Sequence, residues 1–313
     1  MDTEKLQGLV AAPFAPMDEN GEVDISRIPD YYNLLVHNGV KGVFLNGSTG
    51  EGVSLTSQEK KDIVGAWISA GKSSGKLRII NLAGGNSLKE CIDQAVYAAN
   101  LGTDAVALMA PFYFRPASTE VLGSFIRRVA CCIPDTPLYY YHIPALTGVS
   151  LPMAGLLEYA DSQIANFAGI KYTNDDMADY FSCLVYKGHK YDILWGRDET
   201  LLSALILGAG GAVGSTYNYA APLYNMLIEN YRKCNFDIAR TLQLRSVELV
   251  SVLIKYGGIG AGKAFMKYIG MDCGDFRPPV VSVNEDDFPA FEKDLKALSI
   301  EDLLSRKPSK LLI

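Results

Sequence analysis

Short apolar runs bounded by Gly, Asn or Pro recur along the chain and predict buried β-strands. They are continuously apolar rather than alternating, which is typical of parallel strands covered on both faces. Eight such runs are present: residues 9–14, 42–45, 77–82, 104–109, 137–141, 165–171, 192–195 and 211–215.

The segments between these runs have helical periodicity. In residues 57–70, Ile63, Val64 and Trp67 repeat on one face, and Thr56 with Glu59 forms a capping box at the start. Residues 87–101 and 119–131 follow the same pattern. Strand starts about 20 to 35 residues apart match one βα unit, so the chain is predicted to be an α/β protein with a closed (β/α)8 TIM barrel. The rival, a doubly wound sheet, needs a Gly-rich first turn, and residues 12–16 (APFAP) lack one.

The C-terminal third reads as helical, which predicts an extension beyond the barrel. Helices are expected over residues 223–234, 236–256, 263–268 and 287–298. We therefore divide the chain into a barrel catalytic core, residues 1–222, and the last barrel helix with a C-terminal helical extension, residues 223–313.

Composition narrows the class of protein. The 313 residues are 49% hydrophobic, which excludes disorder. The net charge of −6 gives no basic field for nucleic acid or an anionic membrane. Six scattered cysteines without a C-x-x-C pair are typical of free thiols in a reducing compartment, and no signal peptide is recognised, so a cytoplasmic location is expected. Residues 200–228 carry no charge, but their glycines and polar groups favour helix, strand and loop inside a core.

The first candidate for chemistry is Lys171, because it closes the sixth apolar run. Burial disfavours the ammonium form and lowers the pKa, and a neutral amine can form a Schiff base with a ketone. The alternative is a lysine that reaches solvent or pairs with a carboxylate such as Asp175. Lys41 is a contrast to Lys171, because it stands at the start of its strand. That end of a barrel contributes to stability and does not carry the active site.

Polar clusters follow several other runs. Residues 46–52 (NGSTGEG) offer backbone N–H groups and the hydroxyls of Ser48 and Thr49, which suit a carboxylate or phosphate. Residues 196–199 (GRDE) and 214–218 (GSTYN) are typical of hydroxyl-binding loops, although Asp198 is also expected to cap the helix through Leu207. Each cluster alone also fits an ordinary strand-to-helix turn.

Three consecutive tyrosines precede His142. Alternation places Tyr139 and Tyr141 on one face of the strand and Tyr140 on the other. A phenol can move a proton when its surroundings tune its pKa, although packing is the commoner role of a strand tyrosine. His142 has no carboxylate partner in the sequence and is interpreted as structural.

One motif is a misleading match. Residues 257–263 (GGIGAGK) fit the first seven positions of a P-loop, but Ala264 lacks the hydroxyl that binds magnesium and the preceding segment reads as a helix. We interpret it as a helix–helix connection. With three histidines and no zinc-ligand spacing, no metal site is predicted.

Taken together and in this order, the motifs resemble the pyruvate-dependent class I aldolase family that contains dihydrodipicolinate synthase and N-acetylneuraminate lyase. Residues 141–148 (YHIPALTG), 169–173 (GIKYT) and 211–218 (GAVGSTYN) are most similar to the lyase branch. In the synthase branch an arginine that holds a second carboxylate stands where this chain has Leu146.

The resemblance implies roles for individual residues. Lys171 would form the Schiff base, Tyr141 would shuttle a proton, and Ser48 and Thr49 would bind the substrate carboxylate. Tyr113 would reach the site of a neighbouring subunit in a homotetramer. The pocket for the polyol chain of the sugar would be lined by Thr173, Gly196, Asp198, Glu199 and Ser215.

The activity that the resemblance implies is reversible cleavage of N-acetylneuraminate to pyruvate and N-acetylmannosamine, with the covalent Schiff base on Lys171 in place of a metal or other cofactor. Small molecules, rather than nucleic acid or membrane, are the expected partners. Two alternatives remain at this point: another family reaction, either the synthase or a 2-keto-3-deoxy sugar acid aldolase, and a non-catalytic keto-acid-binding barrel. Arg197, where other lyases often carry an uncharged residue, leaves the substrate preference open.

Overall fold

The computed structural model describes residues 4–72 and 75–308. Within them, eight parallel strands close into a barrel in sequence order, and β8 pairs with β1. The strands are β1 Gly8–Ala11, β2 Gly42–Leu45, β3 Arg78–Leu82, β4 Ala105–Met109, β5 Leu138–His142, β6 Phe167–Tyr172, β7 Asp192–Trp195 and β8 Gly211–Gly214. The predicted barrel and all eight predicted strand positions are confirmed.

Helices cover the outside of the barrel. They are α1 Ile28–His37, α2 Ser57–Gly71, α3 Leu88–Leu101, α4 Thr119–Ala130, α5 Pro144–Thr147, α6 Met153–Gln163, α7 Met177–Val185, α8 Leu201–Leu207, α9 Tyr217–Arg232, α10 Phe236–Lys255, α11 Ala261–Tyr268 and α12 Phe288–Ala297. The capping box of α2 is present, with the Thr56 side chain accepting from the Glu59 N–H.

Side chains pack in two separate layers. An inner cluster fills the barrel and includes Val10, Leu82, Tyr139 and Tyr141, whereas Tyr140 belongs to the larger cluster between strands and helices. This confirms the predicted alternation along β5. Because the interior is filled, access to chemistry is restricted to the strand ends.

The C-terminal third of the chain differs from the sequence prediction at the start of α9 and agrees with it at the GGIGAGK segment. Helical backbone begins at Tyr217 rather than at residue 223, but α9 is broken at Ala220, where the backbone is not helical, and its long part starts just before Pro222. Residues 257–260 of the GGIGAGK sequence form a turn between α10 and α11, and its last three residues begin α11, which confirms that it is a helix–helix connection and not a P-loop. The division at residue 222 stays a prediction; α9 packs on β1, and α10 packs on α9.

In the described part of the chain, no single helix has the length and apolar character needed to cross a membrane. Only α10 taken together with residues 258–268 reaches that length and composition, and the two parts are bent by 96°. The uncharged stretch 200–228 forms α8, β8 and the first part of α9, as predicted.

Candidate active site

A bulge in β6 turns Lys171 toward the barrel interior. Leu138 of β5 pairs with Phe167, but Tyr139 pairs with Gly169, so Ala168 is an extra residue. Ala168 therefore faces inward, while Phe167 and Ile170 face the helices. The changed alternation puts Lys171 on the inner face, beside Tyr141 in the strand register.

The ammonium group of Lys171 lies between two aromatic rings. Its Nζ is 3.9 Å from the centre of the Tyr141 ring and 4.1 Å from the centre of the Phe44 ring, and the residue is 4% exposed. Burial lowers the pKa of Lys171 to about 7, against the attraction of Asp198. Asp175, considered from the sequence as a partner, binds Arg197 instead. A large fraction of Lys171 is thus a neutral amine at neutral pH.

This shifted pKa gives a pH prediction. Since the neutral fraction rises from roughly one tenth at pH 6 to nine tenths at pH 8 for a pKa of about 7, the rate at which pyruvate and cyanoborohydride modify Lys171 should rise through that range and then level off. The measurement is the modification rate by intact-mass spectrometry at fixed pyruvate. A rate that keeps rising toward pH 10 would show an ordinary exposed lysine.

The bulge depends on a glycine. A Cβ on Gly169 would lie 1.8 Å from the backbone oxygen of Asp192 on the neighbouring strand. We expect Gly169→Ala to destabilise the protein by about 1–3 kcal/mol or more, since backbone must move, and to slow imine formation by displacing Lys171.

Gly65→Ala is the matched control. Gly65 lies inside α2, and a Cβ there would meet only the Tyr97 hydroxyl oxygen at 3.9 Å. That change should leave imine formation intact and raise stability by about 0.5–1 kcal/mol. Thermal unfolding and pyruvate trapping measure both effects, and equal behaviour of the two variants would contradict the role assigned to Gly169.

Tyr141 lies directly beside Lys171 at the end of β5. Burial raises the pKa of its phenol to about 12, while hydrogen bonding with the side chains of Ser48 and Thr173 acts in the lowering direction. His142 points to the other layer, between the rings of Tyr140 and Tyr172, and burial lowers its pKa to about 4. His142 is therefore a neutral packing residue, in agreement with its structural interpretation.

Residues 46–52 form a tight loop at the end of β2. Asn46 and Glu51 adopt left-handed backbone angles, with φ of 56° and 55°. The side chain of Asn46 donates to Asn81 Oδ1 at 2.8 Å, which ties the loop to β3. Thr49 is buried and Ser48 is partly exposed, so the loop brings both hydroxyls to the same barrel end as Lys171.

Asp198 is held by Thr216, in the segment that follows β8, and not by its own helix. Its Oδ2 accepts from the Thr216 N–H at 2.9 Å and from the Thr216 hydroxyl at 2.6 Å. The expectation that Asp198 caps the helix through Leu207 is wrong, since α8 begins after a separate 3-10 turn and its N-cap residue, Thr200, makes no side-chain cap. Burial raises the pKa of Asp198 to about 6, and its Oδ1 has no hydrogen-bond partner.

Two glycines leave room for the side chains of Asp198 and Thr173. A Cβ on Gly214 would lie 1.8 Å from Asp198 Oδ1, and a Cβ on Gly196 would lie 1.9 Å from Thr173 Oγ1. Thr173 Oγ1 is itself buried and lies beside the Tyr141 phenol. The unpaired Asp198 Oδ1 thus remains free for a ligand.

A cavity of about 240 Å³ adjoins Asp198. Its polar side is formed by Asp198, Glu199, Ser215 and Thr216, and its other side includes apolar residues of α10. Arg197 binds Glu199 Oε1 through Nη2 and Asp175 Oδ2 through Nη1, each at 2.7 Å. The guanidinium is therefore already paired with two carboxylates at the edge of the site.

Tyr113 is the predicted site residue that this chain does not bring to the others. It is 77% exposed, on a loop fixed by Asn86, whose Oδ1 accepts from the N–H groups of Phe112 and Tyr113 at 2.9 and 3.0 Å. The neighbouring Phe114 is 86% exposed.

Sequence reasoning missed Phe44 and Thr216. Phe44 was detectable in principle, because alternation in β2 turns it inward while Val43 and Leu45 face the helices. The bond from Thr216 to Asp198 joins the segments that follow β8 and β7, and it leaves no local signal in the sequence. Among the described residues, no group of three or more His, Cys, Asp or Glu side chains is arranged to hold a metal ion.

The fold and site define a class: a (β/α)8 barrel that presents one desolvated lysine, flanked by a tyrosine and a hydroxyl-bearing loop, at its C-terminal end. The sequence pattern of the Dihydrodipicolinate synthetase family matches residues 5–298, and the chain belongs to that family.

Similar proteins extend this result. The chain is 38% identical to the N-acetylneuraminate lyase of Homo sapiens over 312 residues, covering 98% of this chain and 97% of that one. The structure of the Proteus mirabilis N-acetylneuraminate lyase superposes with a TM-score of 0.91 at 34% identity, covering 94% and 99% of the two chains. A catalytic-lysine mutant of the Ruminococcus gnavus sialic acid aldolase superposes with a TM-score of 0.88 at 25% identity, covering 94% and 95%.

Proposed function

We propose that this protein is a class I aldolase that reversibly cleaves N-acetylneuraminate to pyruvate and N-acetylmannosamine. The observation that carries the proposal is Lys171, buried between Phe44 and Tyr141 with a pKa lowered to about 7. The similarity to N-acetylneuraminate lyases over nearly the full chain supports the choice of substrate.

The reaction begins at Lys171. Its neutral amine adds to the C2 ketone of the open-chain sugar, and loss of water gives a protonated iminium. The C3–C4 bond then breaks, with its electron pair moving toward the iminium, while the C4 hydroxyl loses its proton and becomes the aldehyde of N-acetylmannosamine. The remaining enamine takes a proton at C3, and hydrolysis releases pyruvate and the free amine.

Tyr141 is the group placed to move these protons. Burial keeps its phenol protonated in the free protein, since its pKa is raised to about 12. The iminium places a positive charge where Lys171 Nζ lies, 3.9 Å from the tyrosine ring centre. That charge favours the phenolate, so Tyr141 can accept the C4 proton at the step that needs a base and return it to C3 afterwards.

The other predicted site residues bind the substrate in this proposal. Ser48 and Thr49 hold the carboxylate next to the reacting carbon, which fixes the ketone before chemistry begins. Hydroxyls of the sugar chain contact the far side of the site, where Thr173 and the unpaired Asp198 Oδ1 lie. Gly196, Glu199 and Ser215 complete that wall.

A substrate with a second carboxylate fits less well. Leu146 is 65% exposed and offers no charge at the synthase's arginine position. The guanidinium of Arg197 is already paired with Asp175 and Glu199, so its charge is balanced without a second substrate carboxylate. This favours the neutral polyol chain of a sugar.

Assembly, location and cofactor use are part of the same proposal. Exposed aromatic side chains such as Tyr113 and Phe114 are typical of surfaces that contact another molecule. We propose a cytoplasmic homotetramer in which Tyr113 reaches the site of a neighbouring subunit, and a reaction that needs no metal or other cofactor.

The test is direct assay of three substrate sets. Pyruvate release from N-acetylneuraminate is measured beside turnover of the synthase's substrates and of a 2-keto-3-deoxy sugar acid. We expect N-acetylneuraminate to be the preferred substrate. Preference for another set would keep the imine chemistry and overturn the proposed substrate.

A further inference from the structure

A buried ion pair lies outside the reaction described above. Lys263 of α11 and Glu51 of the β2 loop are joined at 2.7 Å, and their side chains are 1% and 2% exposed. Removing two charges from water is costly, and such a pair persists only when further contacts satisfy it. These residues are far apart in sequence and link the helical extension to the barrel.

Both partners have such contacts. Lys263 Nζ donates to the backbone oxygen of Asp275 at 2.7 Å and lies 4.8 Å from the centre of the Phe276 ring. The other carboxylate oxygen of Glu51, Oε2, accepts from the Arg277 N–H at 2.7 Å. One glutamate of the β2 loop therefore binds α11 through one oxygen and the 275–277 segment through the other.

Glu51 is also an integral part of the loop that carries Ser48 and Thr49. Its N–H donates to the Ser48 oxygen at 3.2 Å, and the Gly52 N–H closes the loop on the Gly47 oxygen at 3.1 Å. Its backbone has a φ of 55°, a conformation that a glutamate adopts only where its surroundings hold it. Displacement of the Glu51 side chain would thus be transmitted to the two hydroxyl-bearing residues.

We propose that Lys263 is a positioning residue: through Glu51 it holds the Ser48–Thr49 loop in the conformation that binds the substrate carboxylate. The C-terminal extension thereby completes a site whose reacting groups all come from the barrel. This proposal rests on the carboxylate-binding role given to that loop in the proposed function.

A purely structural role makes a different prediction. If the ion pair only stabilised the fold, its loss would weaken every reaction at Lys171 alike. If it positions the loop, its loss acts on ligands that carry a carboxylate. Pyruvate and pyruvamide separate the two cases, because pyruvamide presents the same ketone to Lys171 without the negative charge.

The experiment measures cyanoborohydride trapping on Lys171 at increasing pyruvate or pyruvamide. For Lys263→Met, we expect the pyruvate concentration that gives half-maximal rate to rise by about 10- to 100-fold, the scale set by a shift of about 1 Å in a positioning group. The maximal rate and the response to pyruvamide should change less than twofold. Lys263→Arg, which keeps the charge, should recover part of the loss.

A second variant covers the case in which the unpaired Glu51 charge left by Lys263→Met prevents folding. The double variant Glu51→Gln with Lys263→Met leaves no unpaired charge, and it should still show a weakened response to pyruvate alone. Asp192→Asn is the control for loss of a buried charge. Asp192 accepts from the Tyr139 hydroxyl at 2.9 Å at the opposite end of the barrel, so this change should not alter the pyruvate-to-pyruvamide ratio.

The outcomes are distinct. The positioning role would be overturned if Lys263→Met and the double variant each lost the responses to pyruvate and pyruvamide equally, or lost neither response. The aldolase proposal would remain intact. Absence of trapping on Lys171 in the unmodified protein would instead overturn the proposed function, and with it the basis of this inference.

Discussion

Replacing Lys171 with alanine is expected to abolish cleavage of N-acetylneuraminate, with kcat/KM falling by more than about 10⁴-fold, the order seen when a covalent nucleophile is removed. Every later step depends on the imine, because without it no cation receives the electrons of the C3–C4 bond. The amine is also the group that burial between Phe44 and Tyr141 has tuned, with its pKa lowered to about 7. Pyruvate release, followed continuously, measures the effect.

Lys41→Ala is the matched control. Lys41 precedes β2, is exposed and lies at the opposite end of the barrel from Lys171. Its loss should leave turnover unchanged. If the unmodified protein bound pyruvate without turnover and Lys171→Ala bound it equally well, the chain would be a keto-acid-binding barrel instead.

Tyr141→Phe is expected to lower kcat for cleavage by about 10²- to 10⁴-fold, the contribution of a positioned proton-transfer group. Imine formation with pyruvate should survive, since Lys171 and the Ser48–Thr49 loop remain. This separation between trapping and turnover distinguishes a proton shuttle from a residue that only shapes the pocket. Steady-state cleavage and single-turnover trapping on the same preparation give the two numbers.

The neighbouring tyrosine supplies the comparison. Tyr140 is buried in the outer layer, and its hydroxyl has no hydrogen-bond partner, so Tyr140→Phe should affect neither reaction. A similar loss in both variants would assign the effect of Tyr141→Phe to packing.

The barrel could be predicted from the sequence because its signals are local. Each strand is a continuous apolar run, and strand spacing defines the βα unit. The start of α9 was not predictable in the same way. Pro222 favours a helix that begins near it, but the preceding turn stays helical because Asn218 is anchored to Tyr31 and to the backbone oxygen of Ala12, at 2.7 Å each. Those partners lie far away in the sequence.

The site residues also divide into those that have a local signal in the sequence and those that depend on contacts between distant segments. Lys171, Tyr141 and Ser48 follow from their places at strand ends, where a barrel exposes its chemistry. The bulge that turns Lys171 inward depends on the pairing of β5 with β6, and the hydrogen bonds of Asp198 come from Thr216, which follows β8. The Glu51–Lys263 pair joins the barrel to the extension. Contacts between distant segments have no periodicity to reveal them.

The proposed aldolase activity depends on a neutral amine at Lys171 that condenses with a ketone. The most direct test is to reduce the protein with cyanoborohydride in the presence of pyruvate and to map the modified peptide by mass spectrometry. We expect a carboxyethyl group on Lys171 as the main product, absent when pyruvate is left out. A carboxyethyl group mainly on another lysine, or none at all, would contradict it.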